Sequence, residues 1–321
     1  MSLEHVGHRE IIKFAEDRVN LPQEKALEYR AQARGLRERL ETYLSEHPDF
    51  SLRRMLLSGS LAKGTALRSL NDIDVACYIS GVDAPSDTNA LLEYLAERLR
   101  KAYPNFKPDQ VKPQTYSVTV SFRGSGLDVD VVPIIYSGSP DWDGDLISQD
   151  DGSRLMTNIP KHLAFVKRRR QNNDPQYAQV VRLIKYWVKN IKKEHADFRC
   201  KSFIVELVLA HLADRGTDLK DYPSAMLHFF NYVASSDLRK RIVFDDYYPA
   251  SKVGSFTERV QIIDPVNPKN NVGSRYSAQQ ADTLVAAALD AGDAIEAARR
   301  APTKQDTVRY WQKVFGPSFQ A

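Results

Sequence analysis

Leu57-Ser-Gly59-Ser60-Leu-Ala-Lys63-Gly-Thr-Ala-Leu-Arg-Ser-Leu-Asn-Asp72-Ile-Asp74-Val-Ala76 is the stretch on which the fold turns. Side chains of an extended strand alternate faces with a period of two, so Asp72 and Asp74 project together. Ile73, Val75, Cys77 and Ile79 then form an apolar row on the opposite face. Adjacent carboxylates repel and are costly to bury unpaired, and a divalent cation relieves both problems. Mg²⁺ suits the site, because carboxylates and substrate phosphates together meet its octahedral demand for hard oxygen ligands. Gly59-Ser60 lies a dozen residues upstream. Glycine lets the backbone approach closely, so that successive N–H groups can cradle phosphate oxygens with the Ser60 hydroxyl as a further donor. Lys63 falls one helical turn beyond that nest.

A second strand, Leu127-Asp128-Val-Asp130-Val-Val-Pro, places Asp128 and Asp130 on one face by the same alternation. Either of them beside Asp72 and Asp74 would complete a two-metal site for in-line phosphoryl displacement. Gly-Ser alone is common, and Asp-x-Asp alone is equally a turn or an edge-strand solubility device. The ordered set of Gly-Ser, Asp-x-Asp on a strand, then Asp on a later apolar strand is far more specific.

Working outward, a helix follows Pro22 with Ala26, Tyr29, Ala33, Leu36, Leu40 and Tyr43 at helical spacing, and Pro48 bars its continuation past His47. Strands are predicted at 52–57, 72–79, 115–122 and 127–135, with a helix at 89–103 between them. Gly124-Ser-Gly126 reads as a hairpin turn. After a Gly/Asp/Ser-rich segment at 137–153 the pattern becomes long helices. Tyr177, Val180, Val181, Ile184, Trp187, Val188 and Ile191 share one helical face, and 203–212 is apolar almost all round, as in a buried helix. Ser277 and Gln280 form a capping box opening a helix that runs to about Arg300. The expected fold is α+β, with a mixed-sheet domain at 1–155 that includes the N-terminal helices and a helical domain at 156–321.

The 321 residues, 42% hydrophobic and 27% charged, describe a folded chain and exclude wholesale disorder. No run approaches ~18 apolar residues and the N-terminus has no apolar leader, so no membrane role and a cytoplasmic location are expected. Two cysteines are too few for a disulfide framework or a zinc site. The seven histidines show no metal-ligand spacing. Net charge is +4, but residues 160–201 carry twelve Lys/Arg against three Asp/Glu. That local excess suggests a polyanionic partner or, equally, a solvated face.

Gly59-Ser60-Leu-Ala-Lys63-Gly-Thr followed by Asp72-Ile-Asp74 resembles the signature of polymerase-β-like nucleotidyltransferases, closest to the oligoadenylate synthase and cGAS/DncV-like (CD-NTase) branch. The resemblance covers nearly the whole chain. It implies that the third metal ligand is Asp130, in an Asp-Val-Val-Pro strand, rather than Asp128. It implies a triphosphate-binding lysine at Lys185, in Leu183-Ile-Lys-Tyr-Trp187. Ser202-Phe203 resembles the family's phosphate-binding and base-stacking pair. Asp264-Pro-Val-Asn-Pro-Lys-Asn-Asn-Val-Gly273 is similar to a loop of oligoadenylate synthases. In particular the sequence is similar to bacterial CdnC-type enzymes of anti-phage CBASS operons, which sit beside HORMA-domain regulators.

The resemblance implies an active site between two lobes. Asp72 and Asp74 would bind two Mg²⁺ ions. Asp130 would bind the catalytic ion and assist deprotonation of the acceptor. Gly59, Ser60, Lys63 and Lys185 would hold the donor triphosphate. The substrates would be ATP and other NTPs, and the product a cyclic oligonucleotide second messenger such as cyclic tri-AMP. A HORMA-domain regulator and a double-stranded DNA activator are implied by resemblance alone. Spacing by itself leaves Lys185 open to reading as a snorkelling surface lysine, Ser202 as a helix cap and Phe203 as core. Two rivals remain at this point: an RNA-end nucleotidyltransferase of the poly(A) or CCA-adding kind, and a catalytically silent nucleic-acid-binding module.

Overall fold

The structure is a computed structural model and describes residues 5–46, 52–80, 88–147, 152–173 and 175–321. The predicted stop at His47 and Pro48 lies outside the described residues. Contacts divide the chain into two compact units. One is Leu21–Ala164; the other joins the described residues up to Asn20 to Phe165–Ala321.

From the N-terminus, α1 (His8–Phe14) precedes α2 (Gln23–Glu46), β1 (Leu52–Leu57), α3 (Gly59–Lys63), β2 (Asp72–Ser80) and α4 (Thr88–Ala102). Strands β3 (Val111–Pro113), β4 (Val118–Phe122), β5 (Leu127–Tyr136), β6 (Gly144–Ile147) and β7 (Arg154–Thr157) follow. The sheet order is β1-β2-β5-β4-β3, with β6 pairing β5 and β7 pairing β6. Among the described residues of this sheet only β2 and β5 pair in parallel, which makes it mixed. The predicted apolar row is buried: Ile73, Val75, Cys77 and Ile79 are each at most 2% exposed. They pack in one core with Val129 and Val131 of β5, Leu36 and Leu40 of α2, and Leu92, Leu95 and Leu99 of α4. Helices therefore seal one face of the sheet, and the aspartates are on the other.

The Gly/Asp/Ser-rich segment is not a simple linker, since it contains β6 and precedes β7. Gly144 sits where a Cβ would lie 2.7 Å from the Ile135 carbonyl oxygen, so glycine permits the β5–β6 approach. The division between units falls within α5 (Ile159–Asn172), not at 155/156. The N-terminal helix α1 belongs to the helical unit, not the sheet unit. Its Phe14 ring lies 5.6 Å from Tyr186, 4.8 Å from Phe315 and 5.0 Å from Phe319.

The helical unit contains α6 (Gln176–Glu194), α7 (Ser202–Asp214), α8 (Tyr222–Ser236), the short strands β8 (Ile263–Asp264) and β9 (Asn267–Asn271), α9 (Ala278–Arg300) and α10 (Lys304–Phe315). Every apolar residue predicted for the α6 face is buried. The Ser277/Gln280 capping box forms reciprocally, with bonds of 3.2 and 3.1 Å. In the Asp264–Gly273 segment, Asp264 accepts from the Val266 amide at 2.9 Å and from Asn270 at 3.0 Å. Asn271 accepts from the amides of Ile262 and Gly273, each at 3.0 Å. These buried polar side chains are spent on closing the hairpin.

Candidate active site

Parallel pairing sets Asp72 opposite Asp128 and Asp74 opposite Asp130. Neighbouring strands are about 4.8 Å apart, and directly paired residues share a face. The four carboxylates therefore form two ranks on the face opposite the helix-covered core. Antiparallel pairing with β4 extends each rank, adding Thr119 opposite Asp130 and Ser121 opposite Asp128. Thr119 Oγ1 donates to Asp130 Oδ1 at 2.5 Å. Burial raises the pKa of Asp130 above the usual carboxylate value; the Thr119 bond opposes this, and the charges of Asp72 and Asp128 add to the rise.

Gly59 explains itself at this face. Its φ is +62°, and a Cβ there would lie 1.7 Å from Asp74 Oδ2. The Ser58 amide donates to the Asp74 carbonyl at 2.8 Å, tying the turn to β2. Sequence reasoning gave Gly59 close approach to a phosphate; the close approach present is to the Asp74 carboxylate. Helix α3 ends in Gly64 at φ +72°, and the Thr65 amide closes back on the Ser60 carbonyl at 2.9 Å. Ser60 and Lys63 lie half-buried on this single turn.

The donor set is all carboxylate, which is the oxygen chemistry of Mg²⁺. The upward push on Asp130 from its acidic neighbours is what a divalent cation would relieve. The residues thus fit the ion in kind, although among the described residues no three metal-ligating side chains are gathered to hold one.

In the helical unit Lys185 is buried, with Nζ 3.7 Å from Glu206 Oε1 and the two side chains 7% and 4% exposed. A reading of Lys185 as a snorkelling surface lysine underestimates this burial, because α7 covers that side of α6. Glu206 was missed; the signal was a lone carboxylate inside the apolar run of 203–212. Ser202 is exposed at the first position of α7, where Lys201 is the cap, and Phe203 is half-buried.

Two arginines of the basic stretch are taken up within the helical unit, whereas Lys167, Arg168, Lys192, Lys193, Arg199 and Lys201 are exposed. Arg169 is buried, bonding to Asp246 at 3.0 and 2.8 Å and to Asp214, with its guanidinium 3.6 Å from the Phe165 ring centre. Arg182 donates to Asn20 at 2.9 Å and Gln179 at 2.6 Å, and burial lowers its pKa to about 10. A cavity of about 1020 Å³ in this unit opens among Trp187, Ile191, Ala294 and Tyr310, and no predicted site residue lines it.

A mixed sheet with ranked aspartates behind a Gly-Ser turn, in a chain with a helical second unit, is the fold of cGAS/DncV-like nucleotidyltransferases. Cyclic AMP-AMP-AMP synthase of Escherichia coli (strain MS 115-1) is 65% identical over 320 residues, with 100% of each chain covered. CBASS oligonucleotide cyclase CdnC of E. coli (strain KTE188) is 32% identical over 307 residues, covering 94% of both. The solved structure of E. coli MS115-1 CdnC in complex with HORMA-deltaN aligns at TM-score 0.93 and 63% identity, covering 100% of both chains. The structure of that CdnC with ATP aligns at 0.94 and 64%, covering 99% of this chain and 100% of the other. No protein-family model matches the chain. The chain belongs to the CdnC family of CBASS oligonucleotide cyclases, and is a nucleotidyltransferase that makes a cyclic oligonucleotide. Neither the RNA-end transferase nor the silent binding module fits that membership. Among the described residues no helix is long and apolar enough to cross a membrane.

Proposed function

We propose that the chain condenses ATP into cyclic AMP-AMP-AMP on the face that carries Asp72, Asp74 and Asp130. The observation that carries the product assignment is the 65% identity, end to end, to a cyclic AMP-AMP-AMP synthase. The residue roles are supported by the shared face and paired register of the aspartates.

Asp72 and Asp74 would hold two Mg²⁺ ions, and Asp130 one of them. When bound, the ions neutralise charge on the transferring phosphoryl group and favour ionisation of the acceptor hydroxyl. Asp130 takes the proton of that hydroxyl, whose oxygen attacks the α-phosphorus in line as pyrophosphate leaves. On this face the Gly59-Ser60 turn and Lys63 would hold the donor triphosphate; for Lys185, Ser202 and Phe203 of the helical unit, roles in phosphate binding and base stacking rest on family resemblance alone. Two such steps make a linear trimer, and a third closes it. Positioning and electrostatic stabilisation supply most of the acceleration.

The complex of the 63%-identical CdnC with HORMA-deltaN supports a HORMA-domain partner. Activation by double-stranded DNA rests on family resemblance. Its contact would have to use exposed cations such as Lys167, Arg168, Lys192 and Lys193, and its affinity should fall steeply with salt. Two free, buried cysteines are in keeping with action in the cytoplasm.

The test is incubation with α-labelled ATP and Mg²⁺, with the HORMA partner and double-stranded DNA present, followed by phosphatase. A phosphatase-resistant cyclic trimer is expected from the wild-type chain and none from Asp72→Asn/Asp74→Asn. Labelled product of another ring size or base would overturn the product assignment. Undiminished product from the double variant would overturn the site.

A further inference from the structure

Asp128 and Asp130 share a strand and a face, and alternation alone does not separate them. Strand β4 does. It sets a hydroxyl opposite each aspartate, Ser121 against Asp128 and Thr119 against Asp130. Among the described residues only the second pair is hydrogen-bonded, Thr119 Oγ1 to Asp130 Oδ1 at 2.5 Å. A bond of this kind to a carboxylate is charge-assisted and stronger than a neutral one. Threonine is β-branched and stiff at χ1, so strand pairing fixes where its hydroxyl points. Without that bond, Asp130 would be free to rotate away from Asp72, Asp74 and Asp128.

We propose that Thr119 is a positioning residue, whose hydroxyl engages Oδ1 of Asp130 and leaves Oδ2 oriented and available to a divalent cation. Thr119 thereby makes Asp130, and not Asp128, the working third carboxylate. The inference rests on the reading of Asp130 as a ligand, and the experiment separates the two.

Uptake of Mn²⁺ is measured from loss of the free-ion electron paramagnetic resonance signal, at a fixed concentration of a non-hydrolysable ATP analogue. Thr119→Val removes the hydroxyl at nearly constant volume, and Thr119→Ser restores it. Removing an outer-shell partner typically weakens metal affinity about 10–100-fold. That loss is expected for Thr119→Val, with Thr119→Ser within about threefold of wild type. Asp130→Asn should lose at least as much as Thr119→Val, and Ser121→Ala should match wild type. Thermal unfolding midpoints check that each variant is folded, and Thr119→Ala serves if the valine variant is not.

Wild-type affinity in Thr119→Val alongside weakened Asp130→Asn would overturn the role of Thr119 alone. Equal losses in Thr119→Val and Thr119→Ser, or a loss in Ser121→Ala matching that of Thr119→Val, would do the same. Wild-type affinity in Asp130→Asn, or no Mn²⁺ uptake by the wild type above an Asp72→Asn/Asp74→Asn control, would overturn the ligand assignment and the inference with it.

Discussion

The aspartate face of the sheet and the basic stretch of 160–201 are the two charge-rich regions of this chain, and they treat their charges in opposite ways. On β2 and β5 like charges are gathered in register, two ranks deep, with a threonine donor on one of them. Around α5 and α6 the more buried arginines are taken up in separate internal partnerships, Arg169 with two aspartates and Arg182 with two amides. Clustered like charge marks a place where a cation or a charged substrate can complete the electrostatics. Satisfied pairing marks a place where charge holds the fold. A count of charges along the sequence cannot distinguish the two, whereas register and burial can.

The sharpest test of the second half of that comparison is Arg169→Met. Asp246 is 3% exposed and is bonded by both Arg168 and Arg169. Removing the buried partner leaves a carboxylate that water cannot reach, and breaking such pairs costs about 3–5 kcal/mol. Arg168 still reaches Asp246, so the loss should fall toward the lower end of that range in urea-induced unfolding. A change under about 1 kcal/mol would mean that this cluster is no stronger than a surface ion pair.

Gly59→Ala tests the aspartate face and should have the next largest effect. The added methyl overlaps Asp74 Oδ2, and the φ of +62° also opposes a side chain. The Asp74 carboxylate must swing aside, and misplacing a reacting group by about 1 Å is enough to lower turnover roughly a hundredfold. Product formation should fall by that amount while the protein stays folded. Near-wild-type product would show that the Asp74 carboxylate need not occupy its present position.

Where the two regions were legible in the sequence follows from the range of the forces that build them. Alternation along β2 is local, so the shared face of Asp72 and Asp74 and the buried row from Ile73 to Ile79 could be read directly. The pairing of Asp74 with Asp130 joins strands more than fifty residues apart, and no local pattern specifies it. Thr119 therefore looked like any β-branched residue in a predicted strand. The choice of Asp130 over Asp128 came from family resemblance. Strands β6 and β7 were hidden for a different reason: each has four residues, too few for a period to show, in a stretch rich in turn-forming residues. In the helical unit the burial of α6 was legible from its 3.6-residue period, but which of its cations would be covered by α7 was not.

Arg168→Ala is expected to have the smallest effect, and its value lies in its neighbour. Arg168 and Arg169 are adjacent, belong to the same basic run, and donate to the same carboxylate, Arg168 at 2.7 Å. They differ in exposure: the Arg168 side chain is 55% exposed and that of Arg169 is 6%. Water and salt screen the first, and an exposed ion pair contributes about 0–1 kcal/mol. Asp246 keeps its buried guanidinium when Arg168 is lost, so the unfolding midpoint should move little. Raising the salt concentration should shrink even that difference. A loss as large as that of Arg169→Met would mean that the pair acts as one unit, and that burial does not separate the fold-holding cations of this stretch from those left free for a polyanion.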